Sequence, residues 1–218
     1  MLTFGLGFNN HIDGIKVDWP PALKILHFGT AFNPRPIPSP APLLSRRSGP
    51  SRESPLNSSN NPRAGRWGRY PKGAPGVGEE KLTVSRWGEF LPHGVEEIVF
   101  GAHFNQPVEG VKLPPGLKRL VFGANFKQEI TGVDWPEGLE EISFGVYFNQ
   151  PIEATKWPPK LRRLIFGTSF NQPIEKCRFP MGLEEIVFGS HFNQAVESIK
   201  WPQGMRRLVF GERFNKPV

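Results

Sequence analysis

The chain has 218 residues, with 27 Lys/Arg against 20 Asp/Glu and a single cysteine. That length allows one domain or two small ones, and one cysteine excludes a disulfide framework and a multi-cysteine metal site. Glycine and proline, at 24 each, are too frequent for a helical protein, and no apolar run approaches the roughly 18–20 residues of a membrane span.

Residues 1–37 contain an irregular repeat. The string FGLGFNNHIDGIKVDWPPALKILHFG sets Phe4 and Phe28 24 residues apart, and FNPRPI at 32–37 begins another coil. The opening MLTFGLGFNN lacks the charged and apolar regions of a signal peptide, so an intracellular protein is the expectation.

Residues 38–90 change character, becoming rich in Ser, Pro, Arg, Gly and Asn. The formal charge of +7 is concentrated there: residues 34–90 hold ten Lys/Arg and four Asp/Glu, net +6, which leaves +1 for all the rest. Such a stretch has little to bury, and the composition predicts disorder. Three readings stay open: a tolerated loop, a basic tether for an acidic partner or nucleic acid, or translated non-coding sequence. A pI of 9.8 arising from one segment does not make the remainder a nucleic-acid surface, and no nucleic-acid fold motif is present.

LPHGVEEIVFG at 91–101 resumes the repeat, now with a fixed period of 22 residues. Phe100, Phe122, Phe144, Phe166, Phe188 and Phe210 mark it, each followed by glycine. Each period holds two copies of apolar-x-x-apolar-x-apolar, such as Ile152, Thr155, Trp157 and then Leu161, Leu164, Phe166. The last two apolar residues of each copy lie two apart, the strand period. Each coil therefore reads as two short strands and two corners, one at Trp-Pro-x-Gly and one at FGxxFN. Proline at the second place of a type I turn and glycine at the fourth would suit the first corner.

A 22-residue coil cannot fold alone. It offers about seven apolar side chains worth roughly 1.5–3 kcal/mol each, against roughly 1–2 kcal/mol per residue for ordering its backbone. Stacking about 4.8 Å apart lets neighbours share backbone hydrogen bonds and apolar faces. The expected fold is mainly β: a parallel, two-sheet solenoid of 22-residue leucine-rich-repeat-like coils over 91–218, preceded by divergent coils at 1–37 and interrupted by 38–90. If the strand at 23–28 stacks on 95–100, Lys24 falls beside Glu96 and the solenoid runs on across the insert. Asparagines 105, 149, 171, 193 and 215 form one column, suited to satisfying corner backbone groups. Lys127 interrupts it and Glu129 replaces proline, so that coil should have the least regular corner.

Charge adds a period of 44. The pairs Glu96-Glu97, Lys118-Arg119, Glu140-Glu141, Arg162-Arg163, Glu184-Glu185 and Arg206-Arg207 alternate in sign. In a stack each pair meets the opposite pair on both sides, and a slip by one coil juxtaposes like charges. Beside them Val99, Val121, Ser143, Ile165, Val187 and Val209 face outward by alternation. Strand propensity explains this column, and so does a contact stripe. The candidate partner-binding residues are Glu97, Val99, Arg119, Val121, Glu141, Ser143, Arg163, Ile165, Glu185 and Val187.

Chemistry-bearing residues do not converge. His11, His27, His93, His103 and His191 are scattered, and Cys177 occupies the place of Val111, Val133, Thr155 and Ile199. Glu109, Glu153, Glu175 and Glu197 near Lys112, Lys156, Arg178 and Lys200 suggest a solvated ion-pair face. No catalytic, metal or cofactor residue is expected.

The strings FNQPI and FNQPV, within LxFGxxFNQPI and followed by Trp-Pro, resemble the FNIP repeat family over 91–218 closely and 1–37 loosely. That resemblance implies a leucine-rich-repeat-like array acting in protein–protein contacts. Some relatives add an F-box or a kinase domain, and this chain shows neither pattern. The functional expectation is a non-catalytic scaffold binding a protein partner through a sheet face, with no membrane partner and with protein favoured over nucleic acid. The alternative is a self-associating array, or part of a longer one, since uncapped ends expose strand edges.

Overall fold

The computed structural model describes residues 1–3, 19–33 and 91–218. Residues 4–18 and 34–90, and with them the reading of 38–90 as disordered, lie outside the described residues. The described chain holds one parallel sheet in sequence order: β1 Leu2–Thr3, β2 Ile25–His27, β3 Glu97–Val99, β4 Arg119–Val121, β5 Glu141–Ser143, β6 Arg163–Ile165, β7 Glu185–Val187 and β8 Arg207–Val209. From β3 to β8 each strand pairs with the one 22 residues on, as Ile142 with Leu164. β2 pairs with β3 across 72 residues, Leu26 opposite Ile98, and Lys24 Nζ lies 2.7 Å from Glu96 Oε1.

The alternation places side chains as a period of 2 requires. The central residue of strands β2–β7 is fully buried (Leu26, Ile98, Leu120, Ile142, Leu164 and Ile186 at 0%), and its two neighbours face outward. Two phenylalanine columns fill the core. One runs through Phe28, Phe100, Phe122, Phe144, Phe166, Phe188 and Phe210, the other through Phe32, Phe104, Phe126, Phe148, Phe170, Phe192 and Phe214. Within a coil the two rings stack at 3.9–4.1 Å, and along the second column the spacing is 6.0–6.1 Å.

The parallel solenoid is as expected, but the described residues form one sheet rather than two. The side bearing Ile152, Thr155 and Trp157 is buried (0%, 5% and 8%) and is built from turns. The N–H of Thr155 bonds within its own coil to Ile152 O at 3.0 Å, and those of Val111, Val133, Cys177 and Ile199 do likewise. These N–H groups are spent inside the coil, in the coils with Glu129 and Ala195 as in those with proline, so no ladder forms there among the described residues. The Trp-Pro corner also differs in phase. Leu139 N donates to Pro136 O at 3.0 Å, so proline is the first residue of the turn and Gly138 the third. Lys160 holds the place of Gly138 in the next coil, which shows that this turn asks for no left-handed residue.

The asparagine column is a hydrogen-bond ladder. Asn149 Oδ1 accepts the N–H of Asn171 at 2.9 Å, and Asn171 Oδ1 that of Asn193 at 2.9 Å. The glutamine beside each asparagine joins it: Gln172 Nε2 donates to Asn149 Oδ1 at 3.0 Å. At Lys127 the backbone turn persists, with Phe126 N on Gly123 O at 3.3 Å. The irregularity lies in the side chain. Lysine carries no acceptor, so the Asn149 N–H meets none from the ladder, and Lys127 Nζ sits 5.3 Å from the Tyr147 ring centre instead. Lys127→Asn is expected to restore the rung and raise stability by about 0.5–1 kcal/mol, because the gain of one hydrogen bond exceeds the exposed cation–π contact it removes. Urea unfolding of the two proteins checks this, and an unchanged or lower midpoint contradicts it.

Candidate interaction face

The outward residues of the strands build two charge ladders. In the inner one Arg119 reaches Glu97 at 2.7 Å and Glu141 at 2.9 Å. Arg163 reaches Glu141 at 3.0 Å and Glu185 at 2.8 Å, and Arg207 pairs with Glu185. The outer one joins Lys24 and Lys118 to Glu96 at 2.7 and 2.8 Å, and Arg162 and Arg206 to Glu184 at 3.4 and 3.7 Å. Glu140 makes no ion pair among the described residues, so the outer ladder is broken at β5. All ten candidate residues thus lie on the outward face of β3–β7, the five charged ones in the inner ladder and Val99, Val121, Ser143, Ile165 and Val187 in a half-buried column beside it.

The electrostatics follow the geometry. Hydrogen bonds from Lys118 and then Lys24, with their charges, hold the Glu96 carboxyl at about 2 against an ordinary 4.5. Burial pushes Glu185 upward, but the Arg207 and Arg163 guanidinium groups outweigh it and lower the carboxyl. A carboxylate whose folded pKa lies below its unfolded one stabilises the fold above the unfolded value and loses that contribution as pH falls through the folded value. The melting midpoint should therefore hold from pH 7 to about 5 and fall between about 4.5 and 2, less steeply in Glu96→Gln. An identical acid limb in that variant would place the source elsewhere. These pairs are exposed and screened by solvent, so each adds little to stability. Reversing Arg162 and Arg163 to glutamate should nonetheless lower the midpoint more than Lys160→Glu, since Lys160 makes no ion pair among the described residues. Equal shifts would remove the structural role.

His27 takes a part that the sequence pattern did not assign. Ile25 occupies the charge position of β2, and His27 Nε2 approaches Glu97 Oε1 at 3.4 Å from two residues further on. The missing charge at Ile25 was the available signal. The glutamine rungs were legible in the repeated FNQ string but were not singled out.

On the other face the expected ion pairs are missing at three of the four acidic positions among the described residues. Glu153, Glu175 and Glu197 form none with Lys156, Arg178 or Lys200 among the described residues; Glu153 Oε1 instead accepts the Lys176 N–H at 3.4 Å. Each acid and its basic neighbour flank a turn and stay in water. Burial, with the Glu153 charge, pushes the Cys177 thiol up to about 12, and the side chain packs against the core, so it is no thiolate nucleophile at neutral pH. No group of three or more His, Cys, Asp or Glu among the described residues could hold a metal ion, and no helix there is long and apolar enough to cross a membrane. Where Leu91 and Leu113 stand in the Trp column, a groove of about 850 Å³ opens beside Trp135, rimmed by His93, Lys112 and Asp134. Trp135 Nε1 is itself buried without a partner, as are Trp157 Nε1 and Thr155 Oγ1.

No curated protein matches the chain. A solved structure titled "The crystal structure of CroV588 a novel circular LRR protein structure" is similar over 98% of this chain at 30% identity, with a TM-score of 0.68. The chain spans 24% of that structure's length. The FNIP Repeat family matches at residues 104–134, 132–169 and 170–211. Those matches take in the strands β4–β8 and the phenylalanines from Phe104 to Phe210, with their 22-residue parallel register, and the chain belongs to the FNIP repeat family.

Proposed function

We propose that this repeat solenoid is a non-catalytic scaffold that binds a protein partner through the outward face of β3–β7. The observation that carries the reading is the column of half-exposed Val99, Val121, Ile165 and Val187 beside a ladder whose charges are already neutralised within the sheet. Charges paired in place cost a partner little further desolvation, and the apolar column supplies area to bury. The guanidinium groups are the more exposed half of the ladder: Arg119 and Arg163 side chains are 41% and 47% exposed, Glu141 15%. The face therefore offers donors at its rim, suited to backbone carbonyls or carboxylates of a partner.

The test is affinity capture with the full chain and with Val121→Asp/Val187→Asp, whose circular dichroism must match. Proteins captured by the first and lost from the second support the face; an undiminished set refutes it. The second reading, self-association, draws on the similarity to part of a circular repeat array. Light scattering over a hundredfold range of concentration tests it: growth in mass that survives the double substitution favours assembly over the binding face.

A further inference from the structure

We infer that the coils come in two classes that can stack only in alternation, so that the unit this array can gain or lose is a pair of coils, 44 residues long, and never a single coil. The ladder is the first observation. Glu140-Glu141 and Glu184-Glu185 each lie between two basic pairs, Glu96 lies between Lys24 and Lys118, and each guanidinium of the inner ladder within the array bridges two glutamates, Arg163 at 3.0 and 2.8 Å. The second observation lies in the core. The fully buried strand centre alternates with the same period: Ile98, Ile142 and Ile186 in the acidic coils, Leu120 and Leu164 in the basic ones, all at 0% exposure. Leu208 continues the series in a basic coil. A β-branched side chain thus packs against a γ-branched one at every interface, two isomers of equal volume and different shape, which a close-packed column distinguishes.

The phenylalanine columns do not separate the classes: Phe144, Phe166 and Phe188 and the ring beside each repeat at 22 residues and would accept any neighbour. At the corner Pro115 and Pro159 stand in basic coils where His93, Glu137 and Met181 stand in acidic ones, but Gln203 breaks that series. Discrimination therefore rests on the strand positions. Excising one coil, residues 145–166, would join Phe144 to Gly167. That sets Glu140-Glu141 against Glu184-Glu185 at a strand spacing of about 4.8 Å, with Ile142 on Ile186. Excising two, residues 145–188, would set Glu140-Glu141 against Arg206-Arg207 and Ile142 on Leu208, which is the native arrangement.

The two deletions oppose each other in a way that separates this inference from simple array length. Stability in a solenoid rises with coil number, so length alone ranks the one-coil deletion above the two-coil deletion. Alternation ranks it below, by about 5 °C or more in melting midpoint at low salt, and the gap should narrow in 1 M NaCl, where the Debye length is about 3 Å. A rescue keeps the test decisive if the one-coil deletion does not fold. Glu184→Arg, Glu185→Arg, Arg206→Glu and Arg207→Glu restore the charge order, and Ile186→Leu with Leu208→Ile restores the core order. Recovery of the midpoint by these exchanges supports the two-class rule. A one-coil deletion more stable than the two-coil one, or one that the full exchange leaves unrescued, overturns it.

Discussion

Gly145→Ala is expected to destabilise the solenoid by about 3 kcal/mol or more, at or above the upper end of what overpacking a close-packed interior ordinarily costs. A Cβ at Gly145 would lie 2.0 Å from Gly123 O, 2.4 Å from its carbonyl carbon and 2.8 Å from Ala124 Cα. All three are backbone atoms of the coil beneath, so no side chain can turn aside. Relief requires the coils to part by more than an ångström, against strand hydrogen bonds and against phenylalanine rings stacked 5.5–5.6 Å apart on either side of Phe144. The glycine is needed for this close approach and not for its backbone angles, since Gly145 does not adopt a left-handed conformation. Gly182→Ala is the matched control: its added carbon meets nothing within 4 Å, and the substitution should leave stability unchanged or raise it by about 0.4–1 kcal/mol through the unfolded chain. Urea midpoints of the two variants decide the matter. Equal losses would mean that the backbones do not approach as closely as the stack requires.

Phe170→Ala is expected to cost about 3–5 kcal/mol as well, by the opposite fault of leaving a hole. The ring is fully buried and touches four others: Phe166 at 4.0 Å in its own coil, Phe148 and Phe192 at 6.1 and 6.0 Å in its column, and Phe188 at 6.3 Å across it. Its neighbours are held by their own stacking and cannot collapse into the space. Phe214 is the comparison. It stacks on Phe210 at 3.9 Å and Phe192 at 6.1 Å only, and it is half-buried, so Phe214→Ala should cost less than half as much. Hydrogen exchange should show protection lost first in the coils flanking residue 170, because each coil is held only by its neighbours. A Phe170→Ala midpoint no lower than that of Phe214→Ala would deny the columns their role.

Both expectations rest on features that a reader of the sequence meets unequally. The phenylalanine phase was plain in the recurrence at residues 100, 122, 144, 166, 188 and 210, and the outward place of Val121 and Arg163 followed from alternation about Leu120 and Leu164. The charge order of the pairs from Glu96-Glu97 to Arg206-Arg207 was equally legible, since a strict parallel stack converts sequence distance directly into a neighbour relation. What the period could not convey was which hydrogen bonds the non-sheet side makes. Ile152, Thr155 and Trp157 carry the same apolar spacing as Leu161, Leu164 and Phe166, yet Thr155 N bonds within its coil to Ile152 O, and only the second triplet joins a ladder. An apolar pattern reports which side chains are buried and is silent on where the backbone N–H groups go.

The candidate face divides in the same way. The ten residues share a surface because the register is uniform, and that was determined by the repeat itself. The tertiary structure decided that Glu140 makes no ion pair among the described residues while Glu141 is bridged twice, that His27 makes the contact with Glu97 that Ile25 cannot, and that Glu153 and Lys156 remain apart. Each depends on side-chain reach across about 4.8 Å of coil spacing, a distance that long, flexible groups span or miss according to local turns. By itself, then, the sequence determined the period, the core columns and the face, because stacking units of one length in register leaves one solution. The pairing within the face, and the single sheet beneath it, came only with three-dimensional contacts, because turn hydrogen bonds and charge geometry carry no signature in residue spacing.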